Sequence, residues 1–167
     1  MRPSDEPRQP PARLPFWHPA CLLATWFGAG LLPKAPGTWG SLAALPFAWV
    51  IHARLGLIGL AAAAAGLFVV GWWAASVYAG RSHGGPDPGP VVIDEVAGQW
   101  LTLLAAPLDW RFYAAGFLLF RAADIWKPWP VRWADRRLKG GLGVMLDDAL
   151  AAAYAAAALY LLSLLMR

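Results

Sequence analysis

From Leu57 to Ala79 the chain runs without a charged residue, and as a helix that run is long enough to cross about 30 Å of hydrocarbon. No other feature narrows the possible folds as far. A core helix of a soluble protein is the competing reading, and composition counts against it. Only 14% of the 167 residues are charged, against about 25% in ordinary soluble domains, and mean hydropathy is +0.46. Eleven Trp and four Tyr suit rings placed at a membrane interface. A second apolar run, Ala149 to Met166, follows the acidic pair Asp147-Asp148.

The remaining apolar runs, Ala20–Leu32, Ser41–Ile51, Val96–Leu108 and Phe112–Phe120, fall short of the roughly 18–20 residues of a simple span. Short or re-entrant helices are therefore expected, with irregular backbone facing protein or a water-filled cavity. The pattern predicts an all-α integral membrane bundle of about six helical segments, near 19–32, 41–53, 57–80, 91–106, 111–126 and 144–165. No period-two alternation suggests a barrel. Residues 1–15, rich in Pro and Arg, read as a disordered tail without the pattern of a cleaved signal, and 16–167 as one membrane-embedded domain. Gly80 to Pro90 reads as a surface loop, with His83 and Asp87 left out of any site. Asp109, in a turn context, is left out as well.

The single cysteine, Cys21, excludes an internal disulfide and a cysteine-based zinc site. The net charge of +4 is concentrated in the tail and in 127–139, which holds Lys127, Arg132, Arg136, Arg137 and Lys139. The positive-inside bias places both segments in the cytoplasm. Basic and aromatic residues do not interleave in a soluble context, so nucleic acid is not an expected partner.

Several ionisable residues sit among apolar neighbours, where an unpaired charge costs several kcal/mol. Asp94-Glu95 lies between Val91–Ile93 and Val96-Ala97-Gly98. Acids in a first helical turn often serve the dipole, but here metal ligation is the stronger reading. Arg121 and Asp124 are three apart and share a helical face, with Lys127 a further three along. A plain ion-pair ladder fits that spacing. The Phe and Trp around it favour an inward face, where an Arg fork and a Lys suit phosphate. Asp147-Asp148, after Gly140-Gly141-Leu142-Gly143, exceed what helix capping needs. Oxygen-only ligands favour Mg²⁺, with Mn²⁺ as the alternative, over zinc. Asp135, among arginines, reads as an ion-pair partner. Pro36-Gly37-Thr38-Trp39-Gly40-Ser41 is on its own a Gly-rich turn with Ser41 as cap, or a set of anion donors at a helix start.

Together these runs resemble the phosphatidylglycerophosphatase A family from about Cys21 to the last helix. The shared elements are Pro-Gly-Thr-x-Gly-Ser at 36–41, Asp-Glu at 94–95 and Phe-Arg-x-x-Asp-x-x-Lys-Pro-x-Pro at 120–130. Asp135 and Gly-Gly-x-Gly-x-Met-x-Asp-Asp at 140–148 complete them. One departure is Ala151-Ala152, where the family usually has Ala-Gly. The resemblance implies a Mg²⁺-dependent hydrolase that converts phosphatidylglycerophosphate to phosphatidylglycerol and phosphate at the bacterial inner membrane. It would be a multi-pass protein whose site faces the cytoplasm. Asp94, Glu95, Asp124 and Asp148 are the expected metal ligands, and Asp147 a ligand or general base. Arg121 and Lys127 would hold phosphate, with Gly37, Thr38, Gly40 and Ser41 as further donors. Attack by water and a phospho-aspartate intermediate both stay open. Two other classes fit less well. A CDP-alcohol phosphotransferase needs a longer spaced Asp/Gly series, and an ion-coupled transporter would be expected to show an internal repeat.

Overall fold

The computed structural model describes residues 14–81 and 88–166, and among them it holds helices and no strands. The expectations for 1–13, for His83 and Asp87, and for Arg167 lie outside the described residues. Six helices follow in order: α1 (Pro19–Ala24), α2 (Pro36–Arg81), α3 (Ile93–Leu103), α4 (Trp110–Trp126), α5 (Val131–Arg137) and α6 (Gly140–Leu165).

α1 is far shorter than the expected 19–32. His18 Nδ1 accepts from Ala20 N at its start, and Thr25 Oγ1 donates back to Cys21 O at 2.8 Å at its end. The chain then reverses through Trp26, Phe27 and Gly28, all at positive φ, with Phe27 N closing onto Leu22 O at 2.7 Å. Such a left-handed stop satisfies the last carbonyls and cannot continue as helix. A single 3₁₀ turn, Ala29–Leu31, is all that follows.

α2 contains both the expected 41–53 and 57–80 segments. They meet at Gly56, whose φ of 66° and ψ of −171° break the helical path. Only glycine adopts that conformation without strain. The helix begins at Pro36, so the 36–41 run is its first turns and Ser41 is not a cap. Pro at the first helical position loses no hydrogen bond, because that N–H has no intrahelical partner anyway.

α3 covers less than the expected 91–106. α5 lies between the expected segments 111–126 and 144–165, and α6 starts at Gly140, four residues before its expected start. Among the described residues two helices, α2 and α6, are long and apolar enough to cross a membrane, and only 17% of the most apolar window of α2 is buried. Ile58, Val69, Trp72 and Trp73 of α2 and Leu161 and Leu165 of α6 stand exposed. Apolar surface of that extent is atypical of a soluble monomer and suits lipid.

α3 forms the centre. It packs against α2, α6 and α4, while α5 lies on α6. Val92, Ile93, Val96, Ala97 and Leu103 are fully or almost fully buried. Trp100 Nε1 donates to Ala44 O at 3.0 Å and fixes α3 on α2. Ala151 and Ala152, the departure from the family pattern, are buried against Phe120, Val131 and Ala155, where small side chains let α4 and α5 settle on α6.

Candidate active site

The N-terminal turn of α3, the C-terminal third of α4 and the third turn of α6 meet inside the bundle, and each brings acids. One carboxylate oxygen from each of Asp94, Glu95 and Asp148 lies within 4.8 Å of the other two. Asp124 of α4 joins them through a side-chain contact with Asp148. Gly98 makes this approach possible: a Cβ there would meet the Phe120 ring at 2.6 Å and Asp148 O at 3.2 Å.

Asp94 Oδ1, Glu95 Oε2 and Asp148 Oδ2 are buried and accept no hydrogen bond. Buried acceptors are costly to leave unsatisfied, and three in one place form a set that a positive partner would relieve. Burial first, and then Glu95, Asp148 and Asp147, push the Asp94 carboxyl well above its ordinary range. Burial raises Glu95 too. α3, at eleven residues, is too short to span a bilayer. An all-oxygen set of this kind suits a hard divalent cation.

Arg121 is the cation at the edge of the cluster. Its Nη1 lies 2.6 Å from Asp124 Oδ2 and 3.9 Å from Glu95 Oε1. The approach is close enough for an ion pair but not aligned for a hydrogen bond, and both Nη1 and Nε lack a hydrogen-bond partner. Gly37 lies directly over this pair, since a Cβ there would run into Glu95 Oε1 and stand 3.1 Å from Arg121 Nη1.

The other expected residues sit elsewhere. Gly40 faces Val92, where a Cβ would come within 2.7 Å of the Val92 Cβ. Ser41 is wholly buried with Oγ unpartnered, and Thr38 is half-buried. Pro36 has no N–H, and the N–H groups of Thr38 and Trp39 are taken by Ala35 O at 3.0 and 3.4 Å. Gly37 N is therefore the first-turn donor of α2 left over. Lys127 departs from the Arg121–Asp124 stripe because it caps α4 in a left-handed conformation, φ 47°. Its Nζ donates to Asp135 Oδ1 at 2.6 Å and to Asp147 Oδ2 at 2.9 Å. Burial alone would lower the Lys127 pKa, but those two carboxylates hold it above its ordinary value. Asp135 is thus an ion-pair partner, although of Lys127 and not of the arginines around it. Asp147 Oδ1 also accepts from Asp148 N at 3.1 Å.

The sequence reading passed over Gln99. It is fully buried one turn beyond Glu95, with both amide atoms unpartnered. Its spacing of four from Glu95, inside an otherwise apolar helix, was the available signal.

Comparison with known proteins places the chain in a family. The chain is 41% identical over 157 residues to a protein of Escherichia coli (strain K12) named phosphatidylglycerophosphatase A, covering 89% of this chain and 86% of that one. It is 40% identical over 147 residues to the protein of the same name in Haemophilus influenzae, covering 87% and 90%. A Bacteroides thetaiotaomicron protein for which phosphatidylinositol-3-phosphatase activity is proposed is 43% identical over 140 residues, covering 80% and 86%. No solved structure matches the chain. The family model described as phosphatidylglycerophosphatase A matches residues 22–163, a range that contains every carboxylate of the cluster. The chain belongs to the phosphatidylglycerophosphatase A family.

Proposed function

We propose that this enzyme removes the terminal phosphate of phosphatidylglycerophosphate, yielding phosphatidylglycerol and inorganic phosphate, with a divalent cation held among Asp94, Glu95, Asp124 and Asp148. Beyond family membership, the observation that carries this reading is the set of buried carboxylate oxygens without partners. Mg²⁺ is the expected ion and Mn²⁺ the alternative. When bound, it supplies Lewis acidity that neutralises charge on the phosphate.

The chain's own groups do the positioning. Arg121 keeps a buried donor without a partner on Nε beside the Nη1 that faces Asp124, and its guanidinium fork can turn to phosphate oxygens in exchange for the Asp124 contact. Gly37 keeps space open above that fork and offers its own N–H. Asp147 and Asp135 hold the Lys127 ammonium at the rim, which makes Asp147 a positioning residue that acts through Lys127. Phe120 and the apolar α3 wall exclude water, which strengthens each of these interactions.

Release of inorganic phosphate from purified protein, with and without Mg²⁺, tests the reaction. Phosphate release that is insensitive to EDTA removes the cation from the reading. We further propose a multi-pass inner-membrane protein, anchored by α2 and α6, whose site opens at the cytoplasmic leaflet. The basic 127–139 segment beside the acids supports that orientation. Lys139→Cys in a Cys21→Ala background gives one thiol for a membrane-impermeant reagent. Labelling only in opened cells fits; labelling of intact spheroplasts excludes it.

A further inference from the structure

Across Lys127 from the acids lies a second concavity, a groove of about 710 Å³ whose walls include Lys127, Trp129, Arg132, Trp133, Arg136 and Arg137. Positions 132, 133, 136 and 137 share one face of α5, and all four are exposed. The charges here are out of balance in the opposite sense to the carboxylate cluster. Asp135, the one acid of α5, is engaged by Lys127. Arg132 reaches only the carbonyl of Trp126, at 3.4 Å. Among the described residues no carboxylate pairs with Arg132, Arg136 or Arg137. A smaller recess of about 180 Å³, lined by Asp135, Arg136, Gly143 and Asp147 among others, shares Arg136 with the groove and reaches the residue beside Asp148.

We infer that this groove binds the phosphodiester of the phospholipid headgroup, so that the terminal phosphomonoester reaches the carboxylate cluster. The inference rests on the function proposed above and adds a second anion site to it. A phosphodiester carries one fixed negative charge on two free oxygens, and guanidinium forks match that geometry. The acids a short way off repel it unless a cation screens them, so the arginine side is the favourable place. The flanking Trp rings, 78% exposed at Trp129 and 52% at Trp133, present apolar faces and an indole N–H where glycerol gives way to acyl chain. Lys127 belongs to both places, since it lines the groove and donates to Asp147. A glycerol bridging the two phosphates would therefore pass over Lys127. Phosphomonoester lipids without the diester lose this hold.

The double variant Arg132→Gln/Arg136→Gln tests the inference in detergent micelles. Its KM for phosphatidylglycerophosphate should rise about tenfold or more, with kcat kept within about threefold. The product, phosphatidylglycerol, keeps the diester and lacks the monoester. Its affinity, titrated calorimetrically as a short-chain form below its micelle concentration, should fall by a similar factor. Inhibition by inorganic phosphate should not change. An unchanged KM and product affinity overturns the inference, as does a fall in kcat alone. Weakened inhibition by inorganic phosphate also overturns it, because the arginines would then serve the monoester. So does a wild type that does not bind phosphatidylglycerol. A wild type that binds the product with arginine dependence, yet releases no phosphate from phosphatidylglycerophosphate, overturns the proposed function and leaves the groove standing.

Discussion

Asp147 and Asp148 are neighbours in the chain, yet they belong to two regions with opposite electrostatic states. Asp148 faces Asp94, Glu95 and Asp124, where four carboxyl groups meet the single guanidinium of Arg121 and several oxygens accept nothing. Asp147 faces Lys127, whose ammonium bonds two carboxylates at 2.6 and 2.9 Å. Successive helical residues point about 100° apart, so one step along α6 separates an unsatisfied acid from a satisfied one. The satisfied region is built to hold its shape. The unsatisfied one keeps acceptors free for a further group, and that is where the proposed chemistry belongs.

The largest expected effect breaks this contrast directly. Asp148→Asn removes one charge from the cluster and should bring phosphate release to background, as should chelation of divalent ions. The protein should remain extractable and folded, because neutralising one of four crowded acids relieves repulsion. A folded Asp148→Asn variant with wild-type turnover would show that the carboxylate cluster is structural.

Arg121→Lys comes next. The charge survives, but the fork that serves two phosphate oxygens does not, and a charged hydrogen bond is worth roughly 1.5–3 kcal/mol, so turnover should fall about 10–100-fold. If Arg121 only offsets Asp124, the Lys variant should keep near-normal kinetics. Steady-state rates in micelles decide between the two.

The motifs that make the cluster were legible because charge in apolar surroundings needs a reason. Asp94, Glu95, Arg121, Asp124 and Asp148 all stood out on that ground, and the structure brings them together. What the sequence hid was direction. A pair such as Asp147-Asp148 reads as one feature until a helix axis turns its members apart. Lys127 reads as the third rung of a ladder until a left-handed cap sends it to α5 and α6. α5 was missed because seven residues between two Pro and a Gly-Gly pair carry too little periodicity. The end of α1 escaped notice because Trp26 and Phe27, residues that disfavour positive φ, take it as part of the turn. The apolar runs within α2 and α6 were visible from hydropathy, but two separate helices, 41–53 and 57–80, were expected where the structure has one helix kinked at Gly56.

A smaller effect follows from the packing that brings the acids together. Alanine at position 98 gains helix propensity of about 1 kcal/mol over glycine. Its methyl would nevertheless press on the Phe120 ring, which has no flexible end to move aside. Overpacking of this kind costs about 1–3 kcal/mol, so Gly98→Ala should lower thermal stability modestly and lower turnover more, by moving Asp148 against Asp124. Phe120→Leu in the same chain should recover part of both. An unchanged rate in the single variant would mean that the α3–α6 separation does not set the cluster geometry.

The weakest expected effect lies in the satisfied region, at Asp135→Asn. The Lys127–Asp135 pair is about a third exposed on each side, 28% and 34%, so solvent screens it and its worth is roughly 0.2–1 kcal/mol. Lys127 is held above its ordinary pKa, so its contribution is fully present below the unfolded value of about 10.4 and is lost only as pH rises through the higher folded value. At neutral pH the whole of that small term is therefore at stake, and melting should shift by about 1–3 °C. Turnover should stay within about threefold of wild type, because Asp147, only 10% exposed, still holds the ammonium in place. Asp147→Asn removes the better-buried partner and should cost more in both readouts. If Asp135→Asn instead stops phosphate release as Asp148→Asn should, the two regions act as one electrostatic unit and the contrast between them fails.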